Sequence, residues 1–226
     1  MPDWPTPDGV TLPAVPTWPV QLRVGSVVLR RLVQRDADSW AGVRIRNAAW
    51  LTPWDATAPP EADVGPRSFS EMVRSLNRQA RAGTSLPWAI AWDEGSFRLP
   101  FASPSPLIGQ LTVSGITYGS ARWAKIGYWI DKGQAGRGIV PASVALACDY
   151  CFGVLDLHRI EIDIRPENTN SLRVVEKLGF REEGLRPAYL HIAGEWRDHL
   201  SFALHRDEVP EGMLVRLLGD GPLPGT

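Results

Sequence analysis

The stretch Ala124–Val154 (AKIGYWIDKGQAGRGIVPASVALACDYCFGV) constrains the fold of this chain more than any other. Its opening, Lys125 to Asp131, reads as a strand. Gly133, Gly136 and Gly138 then make a turn. From about Ile139 an apolar stripe at 3.6-residue spacing (Val140, Val144, Ala147, Cys148, Cys151, Leu155) marks a helix. A glycine turn that feeds a helix N-terminus offers unpaired backbone N–H groups and the positive end of the helix dipole, and both favour a phosphate. Two kinds of phosphate loop fit poorly. A Walker loop needs Gly-Lys followed by Ser or Thr, and the turn has no such step. A dinucleotide fingerprint needs a third glycine three residues after the second, and Pro141 stands there. A plain tight connection between strand and helix is the remaining bland reading.

A second stretch narrows the choice. Arg165–Phe180 (RPENTNSLRVVEKLGF) carries Asn168-x-x-Ser171 and then Leu178-Gly179-Phe180. Upstream lies Trp50-Leu51 with Trp54; downstream come Glu183-Gly184 and Gly194-Glu195-Trp196-Arg197-Asp198. In this order and spacing, residues 20 to 205 resemble the RimJ/RimL branch of the GNAT N-acetyltransferases. The pyrophosphate loop of that family reads Gln/Arg-x-x-Gly-x-Gly/Ala, and Gly136-Arg137-Gly138-Ile139 resembles its core. Two positions depart from it. Ala135 stands where the motif has Gln or Arg, with Gln134 adjacent. Pro141 removes an amide near the helix start.

The chain otherwise sets ordinary bounds. Its 226 residues fit one domain with a substantial core. Net charge is −1, so no global field favours nucleic acid or membrane, and direct nucleic-acid binding is not expected. No apolar run has the length of a membrane span. The acidic, proline-rich start MPDWPTPDG lacks the pattern of a signal peptide, and a soluble cytoplasmic protein is expected. Cys148 and Cys151 form a C-x-x-C, but inside a helical pattern and without a second ligand pair. They read as core thiols, and no metal is expected.

Taken in order, residues 1–19 hold six of the 20 prolines and read as an extended lead-in. Val20–Val24 and Val27–Leu32 flank Gly25-Ser26 as a β-hairpin. Asp36 is placed to cap a helix from Ala37 to Asn47. Trp50 to Trp54 and residues 55–67 read as loop. Ser68-x-x-Glu71 is a capping box opening a helix to about Arg81. Its Phe69, Met72, Val73 and Leu76 form one face; Arg74, Arg78 and Arg81 lie on the other, a solvated face or one that attracts an acidic partner. Leu86–Trp92, Leu107–Ile116 and Arg122–Asp131 read as strands, with a polar connection over 93–106. Leu157–Ile164 is a strand, Asn168 opens a helix to Leu178, Phe180 begins a strand, and Tyr189–Ile192 pairs with Trp196–Leu204 about Ala193-Gly194. The tail from Asp207 contains a short apolar patch, Met213 to Leu218. Helices alternating with strands after a hairpin-rich first half suit a mixed α/β (α+β) sheet covered on both faces.

The resemblance implies more. It implies the GNAT fold over 20–206: a mostly antiparallel, twisted central sheet splayed in a V, with helices on both faces and a tail over 207–226. The implied activity is acetyl transfer from acetyl-CoA, a co-substrate, to a primary amine. In this branch the amine is often the N-terminus of a ribosomal protein. A small-molecule amine, or a module that binds CoA without turnover, is the alternative. Backbone groups of Gly136, Arg137, Gly138, Ile139 and Val140 would hold the pyrophosphate, and the Arg137 side chain would add a charged contact to a phosphate. Trp129, Ile130 and Asp131 would pair with the pantetheine amides as an added strand would. Asn168 would cap its helix and bond CoA, directly or through a water, or else cap the helix alone. Ser171 would protonate the leaving thiolate, or else bond backbone near the helix start. Asp163 would accept the amine proton through a water, or else pair with an arginine; Glu183 is a weaker carboxylate for that task. Trp50 and Trp54 would wall the acceptor, or else plug the core, and Tyr189, His191 and Trp196 would flank its cleft, with His191 acting on the amine or else packing at the surface. Relatives often form homodimers. An α-amine titrates near ~7.7–8.0 and lysine near ~10.4, so a site without an evident base suits an N-terminus better.

Overall fold

The computed structural model describes residues 18–62, 68–93 and 105–219. Most of the lead-in, residues 63–67, residues 94–104 and residues 220–226 lie outside the described part. The strands are β1 (Leu22–Val24), β2 (Val27–Arg31), β3 (Ser85–Trp92), β4 (Leu107–Thr117), β5 (Trp123–Ile130), β6 (Arg159–Ile164), β7 (Arg181–Ile192) and β8 (Glu195–His205). They form one sheet in the order β1-β2-β3-β4-β5-β6-β8-β7. Every neighbouring pair is antiparallel except β5 and β6.

That parallel pair is short. Trp123, Ala124 and Lys125 pair with Arg159, Ile160 and Glu161, and the ladder stops there. β5 continues to Ile130 against β4 alone, and β6 continues to Ile164 against β8 alone. The two strands part, the sheet opens in a V, and two strand edges with unpaired N–H and C=O groups face one gap.

Helices cover both faces. On one face α1 (Ala37–Arg46) lies over β4 and α3 (Phe69–Arg81) over β3, and α2 (Ala48–Leu51) follows α1. Leu32, Val43, Val73, Ala89 and Leu107 form the core there, under Trp40, Phe69, Met72 and Leu76. Ser68 caps α3, accepting the Glu71 N–H at 3.2 Å, and Arg74, Arg78 and Arg81 point to solvent. On the other face α4 (Ile139–Gly153) and α5 (Thr169–Leu178) pack on Leu29, Trp88, Ile90, Ile126 and Ile160.

Three local expectations change. First, α4 has 12 buried residues in its 15, not one stripe. The apolar patch in the tail is a helix, α6 (Met213–Gly219), which covers the outer side of α4 with buried Met213 and Leu217. The Asp149 carboxylate on α4 accepts the Met213 and Leu214 N–H groups at 2.6 and 3.1 Å and so caps α6 from outside. Second, Asp36 stands at the start of α1 but does not cap it. Its carboxylate is buried and takes a two-pronged pair from Arg30 (2.7 and 2.9 Å) plus the Val33 N–H at 2.9 Å. Third, Trp50 and Trp54 lie in α2 and the 3-10 turn Thr52–Trp54, started by Pro53, rather than in loop. Cys148 and Cys151 are free, fully buried thiols of α4. Burial pushes both pKa values up, so both stay protonated.

Candidate active site

The turn after β5 is held from behind. Asp131 ends β5, and its Oδ1 accepts the Gly133 N–H at 3.2 Å and the Asn47 amide at 2.9 Å. Asn47 reciprocates, its carbonyl oxygen accepting the Lys132 N–H at 3.0 Å. Arg46 binds Oδ2 of the same carboxylate. Burial opposes the Asp131 charge, but Arg46, Asn47 and Gly133 outweigh it and hold the pKa below the usual carboxylate value. One side of the turn is thereby committed to the α1–α2 junction.

The other side is free. The turn's own hydrogen bonds run from Gln134 and Ala135 back to Asp131 and Lys132, and from Ala142 to Gly138. They leave out the N–H groups of Gly136 to Val140. Gly136 and Gly138 have φ of +77° and +75°, the left-handed region that favours glycine. A Cβ built on Gly136 meets nothing within 4 Å, so the space before the turn is open. Pro141 is the third residue of α4, where the N–H has no intrahelical partner in any case. It removes one amide from the turn without breaking the helix.

The turn opens onto a cavity of about 500 Å3 that follows the gap in the sheet. Tyr128, Trp129 and Ile130 of β5 line one side, and Gly136 to Pro141, except Arg137, form the end wall. Asn168, Asn170, Ser171 and Arg173 at the start of α5 form the opposite side, and Trp50, Trp54, Asp55 and Ala56 close over it. Asn168 caps α5, accepting the Ser171 N–H at 3.2 Å. The Arg137 guanidinium, expected to add a charge to the phosphate, instead lies 4.5 Å over the Trp92 ring and bonds Gln134, and Arg137 is not among the cavity's lining residues.

A model of the acetyltransferase (GNAT) domain matches residues 26–181. The chain belongs to the GNAT acetyltransferase family. Over 112 residues it is 41% identical to the probable N-acetyltransferase YjcK of Bacillus subtilis, a match that takes in 50% of this chain and 62% of that protein's length. The ribosomal protein uS5-alanine N-acetyltransferase of Escherichia coli is 28% identical over 185 residues, 82% of this chain and 90% of its own. A solved structure of Mycobacterium smegmatis RimJ in complex with CoA-disulfide matches with a TM-score of 0.77 at 37% identity, over 90% of this chain and 95% of that one. The chain is an N-acetyltransferase whose acetyl donor is acetyl-CoA. The open glycine turn, its free amides and the unpaired strand edges fit that donor's pyrophosphate and amide-bearing arm.

Other expected site residues of this acetyltransferase gather elsewhere. Asp163 alternates to the sheet face away from α4, between the buried Ile162 and Ile164, and is not among the cavity's lining residues. Its Oδ2 accepts from Lys125 Nζ at 2.8 Å, and Arg186 lies 3.7 Å from Oδ1. Lys125 also touches the Tyr189 hydroxyl, which accepts from Arg186 at 3.1 Å. Burial works against the Lys125 charge, but Asp163 and Tyr189 outweigh it and raise its pKa. Asp163 and Tyr189 are thus brought together, behind the base of the V. Glu183 is taken up by Arg159 and Arg181. His191 and Trp196 lie edge to face at 5.5 Å near the β7–β8 turn.

Two features escaped the sequence. Residues 55–57 strap the cavity to the β7–β8 turn. Thr57 donates to the His191 carbonyl at 2.9 Å, Ala193 to the Asp55 carbonyl at 3.0 Å, and Gly194 to Thr57 Oγ1 at 3.0 Å. Arg165 secures the strap, bonding the Pro53 carbonyl at 2.8 Å and stacking on Trp54 at 5.3 Å. The second is His199, buried beside Tyr189, its Nδ1 3.0 Å from the Arg197 carbonyl. Burial lowers its pKa and keeps it neutral. The alternation of β8 was the only local sign of its inward side chain.

Proposed function

We propose that this acetyltransferase moves the acetyl group of acetyl-CoA to the α-amine of a protein N-terminus, and that ribosomal proteins are its acceptor class. The observation that carries the reading is the one cavity that joins the free amides of Gly136–Val140, the edge of β5 left unpaired by β6 at Trp129 and Ile130, and Ser171. A phosphate end, an extended amide arm and a thioester fit those three parts in that order. The acceptor class rests on the Escherichia coli relative, named for an alanine of ribosomal protein uS5.

In this reading the helix dipole and amides of the turn neutralise the pyrophosphate. Trp129 and Ile130 pair with the arm and align the thioester; Asp131, expected to share in this, has its N–H bonded to Ile108 and its carbonyl to Gln134 and only ends that edge. Asn168 orders the first turn of α5, and Ser171 gives its proton to the departing sulfur. Trp50 and Trp54 wall the acceptor. Asp163 is held by Lys125 behind the base of the V and does not meet the amine itself. Residues 20–219 form the catalytic domain, since α6 shares its core.

A small-molecule amine is the second reading, and the strap favours it. Asp55–Thr57 bound to the β7–β8 turn closes one side of the cavity, which restricts a bulky acceptor. The spermidine N(1)-acetyltransferase of Vibrio cholerae is 32% identical over 92 residues, 41% of this chain and 53% of its own length. Thiol release from acetyl-CoA separates the two. Alanine- and serine-led hexapeptides are compared with polyamines, and the products are weighed by mass spectrometry. Acetylation of the peptide α-amine with higher kcat/KM is expected. Turnover confined to polyamines would overturn the peptide reading.

A further inference from the structure

Tyr128 sits on β5 between Gly127 and Trp129, and its ring turns toward α4 and α5. Its hydroxyl is buried and has no hydrogen-bond partner. It lies beside the Ser171 hydroxyl without a hydrogen bond of normal geometry to it. A buried donor left unsatisfied is rare in folded proteins and calls for a partner. Ser171 is a polar side chain placed to serve. The Ser171 backbone N–H is already taken by Asn168, so the first turn of α5 is fixed and only the serine side chain remains to rotate.

Hydroxyl chemistry sets the direction of the bond. Ser171 has one O–H and two lone pairs, and Tyr128 has the same kit on a phenol. If Ser171 donates to Tyr128, the phenolic proton still has no acceptor. If Tyr128 donates to Ser171, the phenol is satisfied. The Ser171 proton must then point elsewhere, and the open direction is the cavity. Burial pushes the Tyr128 phenol up to about 12, with the Ser171 hydroxyl pulling the other way. The phenol therefore stays protonated near neutral pH and remains a donor.

We infer that Tyr128 is a positioning residue for the acid of this reaction: its buried hydroxyl donates to Ser171 Oγ and so aims the Ser171 proton at the sulfur of CoA. The inference rests on the reading of Ser171 as that acid. The atoms balance as follows. The amine nitrogen bonds the acetyl carbon and loses one proton to water. The carbon–sulfur bond breaks, and sulfur leaves with the electron pair. Sulfur takes the Ser171 proton, and Ser171 regains one from water. Tyr128 keeps its proton throughout and stabilises the transient charge on Ser171 Oγ.

The test is a double-mutant cycle with Tyr128→Phe and Ser171→Ala. Thiol release is followed at saturating acetyl-CoA with the acceptor, peptide or polyamine, that the wild type turns over. Calorimetry with CoA checks each variant's binding, which reports an intact site. Tyr128→Phe removes one oxygen and keeps the ring. It is expected to lower kcat about fivefold to tenfold, the scale of one net hydrogen bond, with CoA binding unchanged. In the Ser171→Ala background the same change is expected to cost less than twofold. A packing role for the phenol would lower both backgrounds equally. Equal losses, or a Tyr128→Phe enzyme as fast as wild type beside a slow Ser171→Ala, would overturn the inference and leave Ser171 as the acid. A Ser171→Ala enzyme with wild-type kcat would remove the acid itself, and the inference with it.

Discussion

Asn47 and Asp131 are 84 residues apart in sequence and joined at 2.9 Å, amide to carboxylate. Through that contact the α1–α2 junction grips the base of the phosphate turn. Asn47 also receives the Lys132 N–H and donates to the Val43 carbonyl. One buried side chain thus ties a helix end, a strand end and the turn together.

Replacing Asn47 by alanine removes all three bonds and leaves the largely buried Asp131 with fewer donors. The expected cost is about 2 kcal/mol of stability, from unsatisfied buried polar groups. CoA affinity is expected to fall about tenfold, because the turn loses its backing. Urea denaturation and calorimetric titration measure the two effects. An unchanged affinity would show that the turn holds its shape without Asn47.

Lys125 and Asp163 close the base of the V where the parallel ladder ends. The Asp163 side chain is 5% exposed and that of Lys125 24%. Lys125→Met would strand the carboxylate with Arg186 as its remaining nearby cation, at 3.7 Å. A loss of about 3 kcal/mol is expected, on the scale of breaking one side of a buried pair. Adding Asp163→Asn to Lys125→Met should recover much of it. A double variant no more stable than the single one would contradict the assignment of the cost to the stranded charge.

Much of this was legible locally. Glycines at 136 and 138 announced a turn before a helix, and both adopt the left-handed conformation. Ser68 announced a cap, and Leu178-Gly179-Phe180 a helix end, which Gly179 makes with φ of +70°. Such features depend on neighbours a few residues away. Asp36 reads locally as a cap but is not one, because Arg30, its partner, lies on the preceding strand and reaches it through the fold. The capping of α6 by Asp149, 64 residues earlier, leaves no local trace. The same holds for the strap, where Thr57 meets residues 134 and more positions later. The Tyr128 hydroxyl beside Ser171 is likewise a product of packing between β5 and α5.

Glu183 carries a prediction about acid. Its contact with Arg159, and then with Arg181, lowers its pKa from 4.5 to about 2 against a smaller opposing effect of burial. A carboxylate with a depressed folded-state pKa binds fewer protons folded than unfolded. Its stabilisation is present above about 4.5 and is lost as the pH falls toward 2. Glu183→Gln should therefore flatten the decline in stability between those limits. It should leave the wild type more stable above pH 5. Thermal melts from pH 2 to 7 show either outcome; parallel curves for the two proteins would contradict it.

The thiols should be inert in the folded protein. Cys148 and Cys151 are fully buried and protonated, so neither offers a thiolate. A disulfide-exchange reagent such as Ellman's is expected to react with neither in native buffer and with both in guanidinium. Fast reaction of either one under native conditions would mean that α4 opens.

The most direct test of the central claim compares two ligands by calorimetry: CoA, and pantetheine, which lacks the pyrophosphate. If the amides of Gly136–Val140 hold that group, CoA binds saturably and pantetheine at least a hundredfold more weakly. Gly136→Ala, which strains the turn, should lower CoA affinity and leave pantetheine unchanged. Equal affinities for the two ligands, or no binding of CoA by the folded protein, would contradict the assignment of the turn as the pyrophosphate site.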